Sequence, residues 1–499
     1  MKNLKLFLFA LMAFFVVGFA VNVNAEGTDI SGATINGISS AYPYTGEAVT
    51  PVPTTVKLNG ATLVKDTDYV VSYENNIELT TDEVKASVIV TGIGDYEGVV
   101  SKNFNIEMPT YLLNDAPKVG SFPTSLGDGT YKLLKNTTMT VNRLALGTFT
   151  SNATLDLNGY TLSFPGNASY SLLYLGRTSG QTLNIVGPGS IVDTNDVAIS
   201  VIGVIGSNYN ITVGKDVKLI GTTGLMLDKN AKNNTIVFGG EIQASSSFGI
   251  YTNGQITDVE SGNVITVSGK TVAPEAPGIY AAGYAKWTID GEVSGLTGIE
   301  VRAGEVTILD GAKITGTADA TTAIPNGDGS TTEGAGIAIS QHTTALPINV
   351  QVKGGQITAV TPFYEVNPQQ NSYPDISKIT ASISGGVFTT TGEETVSSLD
   401  LSGFITGGTY NVSPDNVYVT EGYKIFNDAG IYVVNSNNIA DLEITGIVDK
   451  TYNGAYQEQE GLKVIRNGNE LIKDQDYTVS YTNNAFVGTA EMTITGVGD

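Results

Sequence analysis

The chain has 499 residues, no cysteine, and 26 basic against 49 acidic side chains, a formal charge of −23. So acidic a surface repels nucleic acid and anionic membranes, and without cysteine there are no disulfides, no thiol nucleophile and no lipid-modified leader. The length predicts about three domains. With 59 glycines and only 15% charged residues, turns and strands are favoured over helices.

At the N-terminus, Lys2 and Lys5 precede an apolar run over 6–20, and Val23-Asn24-Ala25 supplies a small-residue cleavage site. This predicts a secretory signal peptide over 1–25, too short to read as a membrane span. No other segment approaches transmembrane length. Secretion without disulfides suits a bacterial source and demands a large hydrogen-bonded core.

Residues 28–108 alternate apolar and polar positions in short runs at 55–58, 69–73, 85–91 and 101–106, with Asn59-Gly60 as a tight hairpin turn. This predicts a small β-sandwich. The segment has a copy near the other end: KDTDYVVSYENN at 65–76 matches KDQDYTVSYTNN at 473–484, and VIVTGIGD at 88–95 matches MTITGVGD at 492–499. The first copy continues through Tyr96, Phe104 and Ile106 as one more strand, which the second copy lacks. The sequence therefore predicts a second module, 439–499, short of its closing strand, in a chain that continues past Asp499 toward any anchoring signal.

Tyr44, Gly46, Asp68, Tyr69, Tyr73, Asn75, Asn76, Gly92 and Tyr96 carry a resemblance to the Ig-like repeat modules of Gram-positive surface proteins. The resemblance implies two such modules flanking a different central segment.

That segment, 109–438, has apolar-Gly turns: Gly269 to Gly291 spans 22 residues, Gly291 to Gly311 spans 20, and Gly385 to Gly407 spans 22. A second series runs in step, with GIY at 249–251 and 278–280, GIEV at 298–301 and GIAI at 336–339. A period near 21 without helical pattern predicts a parallel β-helix, each coil holding about three short strands. A dozen coils spaced by one strand separation would form a rod of roughly 60 Å. The runs DLNGYTL at 156–162 and EGY at 421–423 resemble right-handed, pectate-lyase-like β-helix domains of bacterial surface proteins. The predicted fold is therefore all-β: a right-handed parallel β-helix between two small Ig-like β-sandwich modules, the second truncated. Two segments, 317–333 and 362–374, read as long polar loops on which Tyr364, Glu365 and Tyr373 could touch a glycan.

The resemblance raises the question of polysaccharide lyase or glycoside hydrolase chemistry. A lyase needs a base with cationic or calcium neutralisation of the uronate, yet Arg143, Arg177 and Arg302 are far apart in the chain. A hydrolase needs converging carboxylates. The best stacked pair is Asp290 and Asp310, each explained by an Asp-Gly corner. His342 has no second His or Cys for a metal and no triad partners. No calcium loop, P-loop or dinucleotide fingerprint is present, so no cofactor, metal ligand or catalytic residue is assigned.

Tyr251 and Tyr280 share one coil position, with Tyr284 and Trp287 close behind; Tyr251, Tyr280 and Trp287 are the candidate ligand-binding residues, as a flat platform for sugar rings. The leading expectation is a secreted, non-catalytic cell-surface protein for adhesion or surface architecture, with glycans or host and cell-wall components as partners. A carbohydrate-active enzyme and a glycan-binding module without turnover remain the alternatives.

Overall fold

Three consecutive strands, Ile279–Ala281, Lys286–Ile289 and Glu292–Gly295, bury Ile279, Ala281, Trp287, Ile289 and Val293. Strands this short have one apolar face each, and three joined by tight corners bury those faces together by closing a coil. The next coil repeats the arrangement in parallel register, with Ile279 opposite Ile299, Trp287 opposite Val306 and Val293 opposite Ile314. This computed structural model describes residues 27–146, 152–176, 180–326, 329–368, 378–466 and 468–497.

Repetition of that step gives three long, largely parallel sheets of 12, 11 and 13 strands among the described residues. Each coil runs from the second sheet, which contains Ile279–Ala281, to the first, then the third. One continuous apolar core runs through the stack from Phe122 to Val434. The protein is all-β, and its long parallel sheets fit a parallel β-helix.

The corners between the first and third sheets are tight. At Gly291 a Cβ would run into the carbonyl oxygen of Gly269 one coil below, and at Gly269 into that of Gly240. Glycine is needed there for close approach of backbones. Both ends of the stack carry antiparallel hairpins. Tyr111–Leu113 with Ala116–Lys118 closes the start of the first sheet, and Tyr423–Asp428 with Ile431–Ser436 the end of the third. Such hairpins interrupt the parallel template that bare coil ends would offer to another chain.

The chain divides into two compact units at Pro109/Thr110. In the first, a four-stranded and a three-stranded sheet share a core of Ile35, Val56, Val88, Val90, Phe104 and Ile106. The sequence copy near the C-terminus is a structural copy. Asp68 Oδ2 accepts from the Val64 amide at 2.6 Å, and Asp476 Oδ2 from the Ile472 amide at 2.7 Å. Likewise Asn76 Nδ2 donates to the Val49 carbonyl at 3.0 Å and Asn484 Nδ2 to that of Gln457 at 2.8 Å.

Two segments differ from their loop expectation. Residues 317–333 contain an antiparallel hairpin, Thr322–Asn326 with Gly329–Glu333. Residues 362–366 belong to the Thr361–Val366 strand of the second sheet, with Phe363 and Glu365 buried. In the second case the strand's inward positions, Phe363 and Glu365, are buried despite the local polarity. Tyr373, Arg177 and the leader 1–25 lie outside the described residues. Among the described residues no helix is long and apolar enough to cross a membrane.

Candidate binding face on the second sheet

On the second sheet, the middle residue of each short strand faces outward. In register this places Met226, Tyr251, Tyr280, Glu300, Ala338 and Tyr364 in one column along the stack. Neighbours such as Ile250 and Ile279 point inward, so the pleat fixes the aromatic rings on the outer face.

Phe248, in the corner preceding Tyr251, joins the two tyrosines. Its ring centroid lies 5.2 Å from that of Tyr251 and 4.7 Å from that of Tyr280, and the tyrosines are 5.8 Å apart, all three stacked. Phe248 and Tyr251 are half-buried, whereas Tyr280 is 4% exposed. The Arg302 guanidinium lies 5.3 Å from the Tyr280 ring centroid and donates to its hydroxyl. Offset stacking and a cation beside the ring both stabilise this arrangement.

Tyr280 is outward yet covered because the outer face of the sheet is itself overlaid. Glu300, next in the column, is fully buried, and its Oε2 accepts from the Thr332 amide at 2.8 Å and the Thr332 hydroxyl at 3.3 Å. Thr332 belongs to the 329–333 strand of the hairpin, and Thr297 Oγ1 donates to its carbonyl at 2.6 Å. Burial raises the Glu300 carboxyl from 4.5 to about 8, outweighing the Thr332 bonds and the neighbouring Ser340 hydroxyl, which favour the charged form. Ser340 lies beside the carboxyl without closing a bond of normal geometry to it.

The remaining sequence candidates are placed as follows. Trp287 does not share the platform. It is 2% exposed, inside the coil, between Ile265 and Val306, where no ligand reaches its ring. Strand alternation explains this: Trp287 occupies the inward parity that Tyr280 does not. Tyr284 is buried against Ala303 and Leu346, and donates to Glu305 Oε1 at 3.0 Å. Burial first, then Glu305, pushes its phenol up to about 12.

Glu365 is buried and occupied in holding a corner. Its oxygens accept from Gln341 Nε2 at 2.7 Å, Ser398 Oγ at 2.9 Å, and the Leu399 and Asp400 amides at 2.8 Å each. Tyr364 is half-buried on the outer face. Asp290 and Asp310 do sit on neighbouring coils and border one shallow surface hollow with Lys353. Asp290 Oδ1 accepts from the Gly311 amide at 2.9 Å, a bond from one coil's corner to the next.

His342 Nδ1 lies 3.3 Å from both the amide and the hydroxyl of Thr344, a local turn. Arg143 stacks on Tyr170 and Tyr174, at 4.3 and 4.8 Å from their centroids. Among the described residues no group of three or more His, Asp or Glu is placed to hold a metal ion.

Sequence reasoning missed Phe248, Glu300 and the covering hairpin. The signal for the hairpin was the pair Gly327-Asp328 between two threonine-containing runs, a Gly-first two-residue hairpin connection. For Glu300, the signal was a carboxylate in the middle position of GIEV where other coils carry tyrosine. Comparison with protein families, curated proteins and solved structures found no match.

Proposed function

We propose that this chain is a secreted, non-catalytic cell-surface protein. In this reading a right-handed parallel β-helix, carried with Ig-like modules, presents the outer face of its second sheet to a glycan or another surface component. The observation that carries the reading is the Phe248–Tyr251–Tyr280 stack, whose two half-buried rings form an aromatic ledge on the outer face of the second sheet. Sugar rings pack their C–H faces on such ledges, and a ledge held in place by paired strands lowers the ordering cost of binding. Of the stacked pair Asp290 and Asp310, Asp290 is bonded to the Gly311 amide on the neighbouring coil, and the buried Glu365 likewise accepts from the Leu399 and Asp400 amides of the next coil.

The test pairs glycan-array binding with a reducing-sugar assay on pectins and host glycans, using the wild type and Tyr251→Ala. Binding that Tyr251→Ala weakens, without sugar release, is the expected result. Sugar release by the wild type would refute the non-catalytic reading, and binding indifferent to Tyr251→Ala would remove the ledge from it.

A further inference from the structure

On the third sheet, the first outward position of five neighbouring strands alternates in charge. Strand pairing sets Lys218 beside Glu241, Glu241 beside Lys270, Lys270 beside Glu292, and Glu292 beside Lys313. Glu241 is half-buried and the other four are exposed. Two pairs close within the chain, Lys218 to Glu241 at 2.9 Å and Lys313 to Glu292 at 3.2 Å. Lys270, at the centre of the column, has a carboxylate on each neighbouring strand yet forms no ion pair among the described residues. Stacking of the coils therefore uses the outer charges and leaves the middle one over.

The second outward position of the same strands holds Ile220, Gln243, Val272, Ser294 and Thr315, all uncharged. That column brings no charge that an opposing face would have to desolvate. The chain as a whole carries −23, so its copies repel one another in general. With three lysines against two glutamates, the charged column does not share that excess.

The order of the charges is self-complementary. A two-fold axis along the strand direction, midway between Glu241 and Lys270, lays the column on its own reverse. Lys218 then faces Glu292 of the second copy, and Glu241 faces Lys270, each contact occurring twice. All four join opposite charges, while Lys313 faces Ser190 on the strand before Lys218. An axis parallel to the stack would set each charge against its own copy, which selects the antiparallel arrangement.

We propose that the third sheet is a self-association face, on which a second copy of this chain docks antiparallel with its Glu241 opposite Lys270. Exposed ion pairs are worth little singly, so the dimer is weak and salt-sensitive. This inference is independent of the glycan reading, which concerns the second sheet.

The test is sedimentation of the whole chain across a concentration series, at low salt and at about 1 M, where the screening length is about 3 Å. It includes Glu241→Lys, Lys270→Glu and an equal mixture of the two. The wild type should dimerise at low salt and dissociate at high salt. Each single variant places like charges face to face at both central contacts, and its dimer should weaken by at least about tenfold. In the mixture each variant meets opposite charges on the other, so association should return. Alternation that served coil stacking alone would give no such recovery.

A wild type that stays monomeric at low salt would overturn the proposal. So would a dimer that high salt or both variants leave intact, or a mixture no more associated than its parts. The salt dependence of the wild type needs no substitution, so the proposal can fail even where a variant disturbs the coil.

Discussion

Thr332 gives both its amide and its hydroxyl to one oxygen of Glu300, at 2.8 and 3.3 Å. The pair joins the 329–333 strand to the outer face of the second sheet. It places a carboxyl in full burial between Tyr280 and Ala338 in the column, with Ser340 beside it and Arg302 two residues further along. The hairpin thus rests on a titratable group.

The sign of the pH dependence follows from that group. Unfolded, Glu300 titrates near 4.5, and folded it holds its proton to about 8. Between those values the native state binds more protons than the unfolded one, so stability falls as pH rises through the window, at up to about 1.4 kcal/mol per pH unit. Below the window both states are protonated and the contribution is complete. Glu300→Gln keeps a neutral side chain of the same shape and is expected to flatten the stability profile between pH 5 and 8. Denaturant midpoints at several pH values check this, and a profile unchanged by Glu300→Gln would rule the group out as its source.

The corner glycines make a second prediction. At Gly291 an added methyl meets the backbone carbonyl of Gly269, which cannot swing away as a side chain could. Gly291→Ala should cost about 1–3 kcal/mol through forced displacement of the coil. Gly254→Ala in the same unit, where the nearest atom to a new Cβ is 3.8 Å away, should stay within about 1 kcal/mol of wild type. Thermal melts of the two variants give the comparison, and equal melting temperatures would contradict the packing argument.

Glu365 provides a third. Removing its carboxylate leaves the Leu399 and Asp400 amides, the Ser398 hydroxyl and the Gln341 side chain without their shared acceptor. Buried networks of this kind lose about 3–5 kcal/mol when a charged member is deleted. Glu365→Ala should therefore loosen the last coils first, visible as faster amide exchange over 396–400 while exchange in the coils around 279–295 stays slow. Uniform loosening along the stack would show that the network does not act locally.

The repeat near 21 residues, the corner glycines and the duplicated module were all legible, because each is a local pattern that recurs. Parity within a strand was not. Tyr280 and Trp287 lie seven residues apart in similar apolar surroundings, and only the position of the intervening corner decides that one faces out and the other in. The Phe248 contact was equally hidden, since it depends on how a corner folds back over the next coil. The burial of Glu300 depends on a hairpin about thirty residues downstream, a long-range contact that no local spacing encodes.

Trp287 is the only tryptophan in the chain, which makes the coil interior readable by its fluorescence. Its ring is 2% exposed and packed between inward residues of neighbouring coils, so native emission should be blue-shifted and resistant to iodide, moving red as the stack unfolds. Its indole N–H has no hydrogen-bond partner in the core. Trp287→Phe removes that unmet donor together with some apolar volume, two effects of opposite sign, and is expected to stay within about 1.5 kcal/mol of wild type. Trp287→Ala leaves the cavity without the compensation and should cost about 3–5 kcal/mol. Because the substitutions erase the fluorophore, their stabilities are measured by circular dichroism in denaturant. Iodide quenching of the native wild type, or an alanine variant as stable as the phenylalanine one, would place the ring at the surface instead of inside the coil.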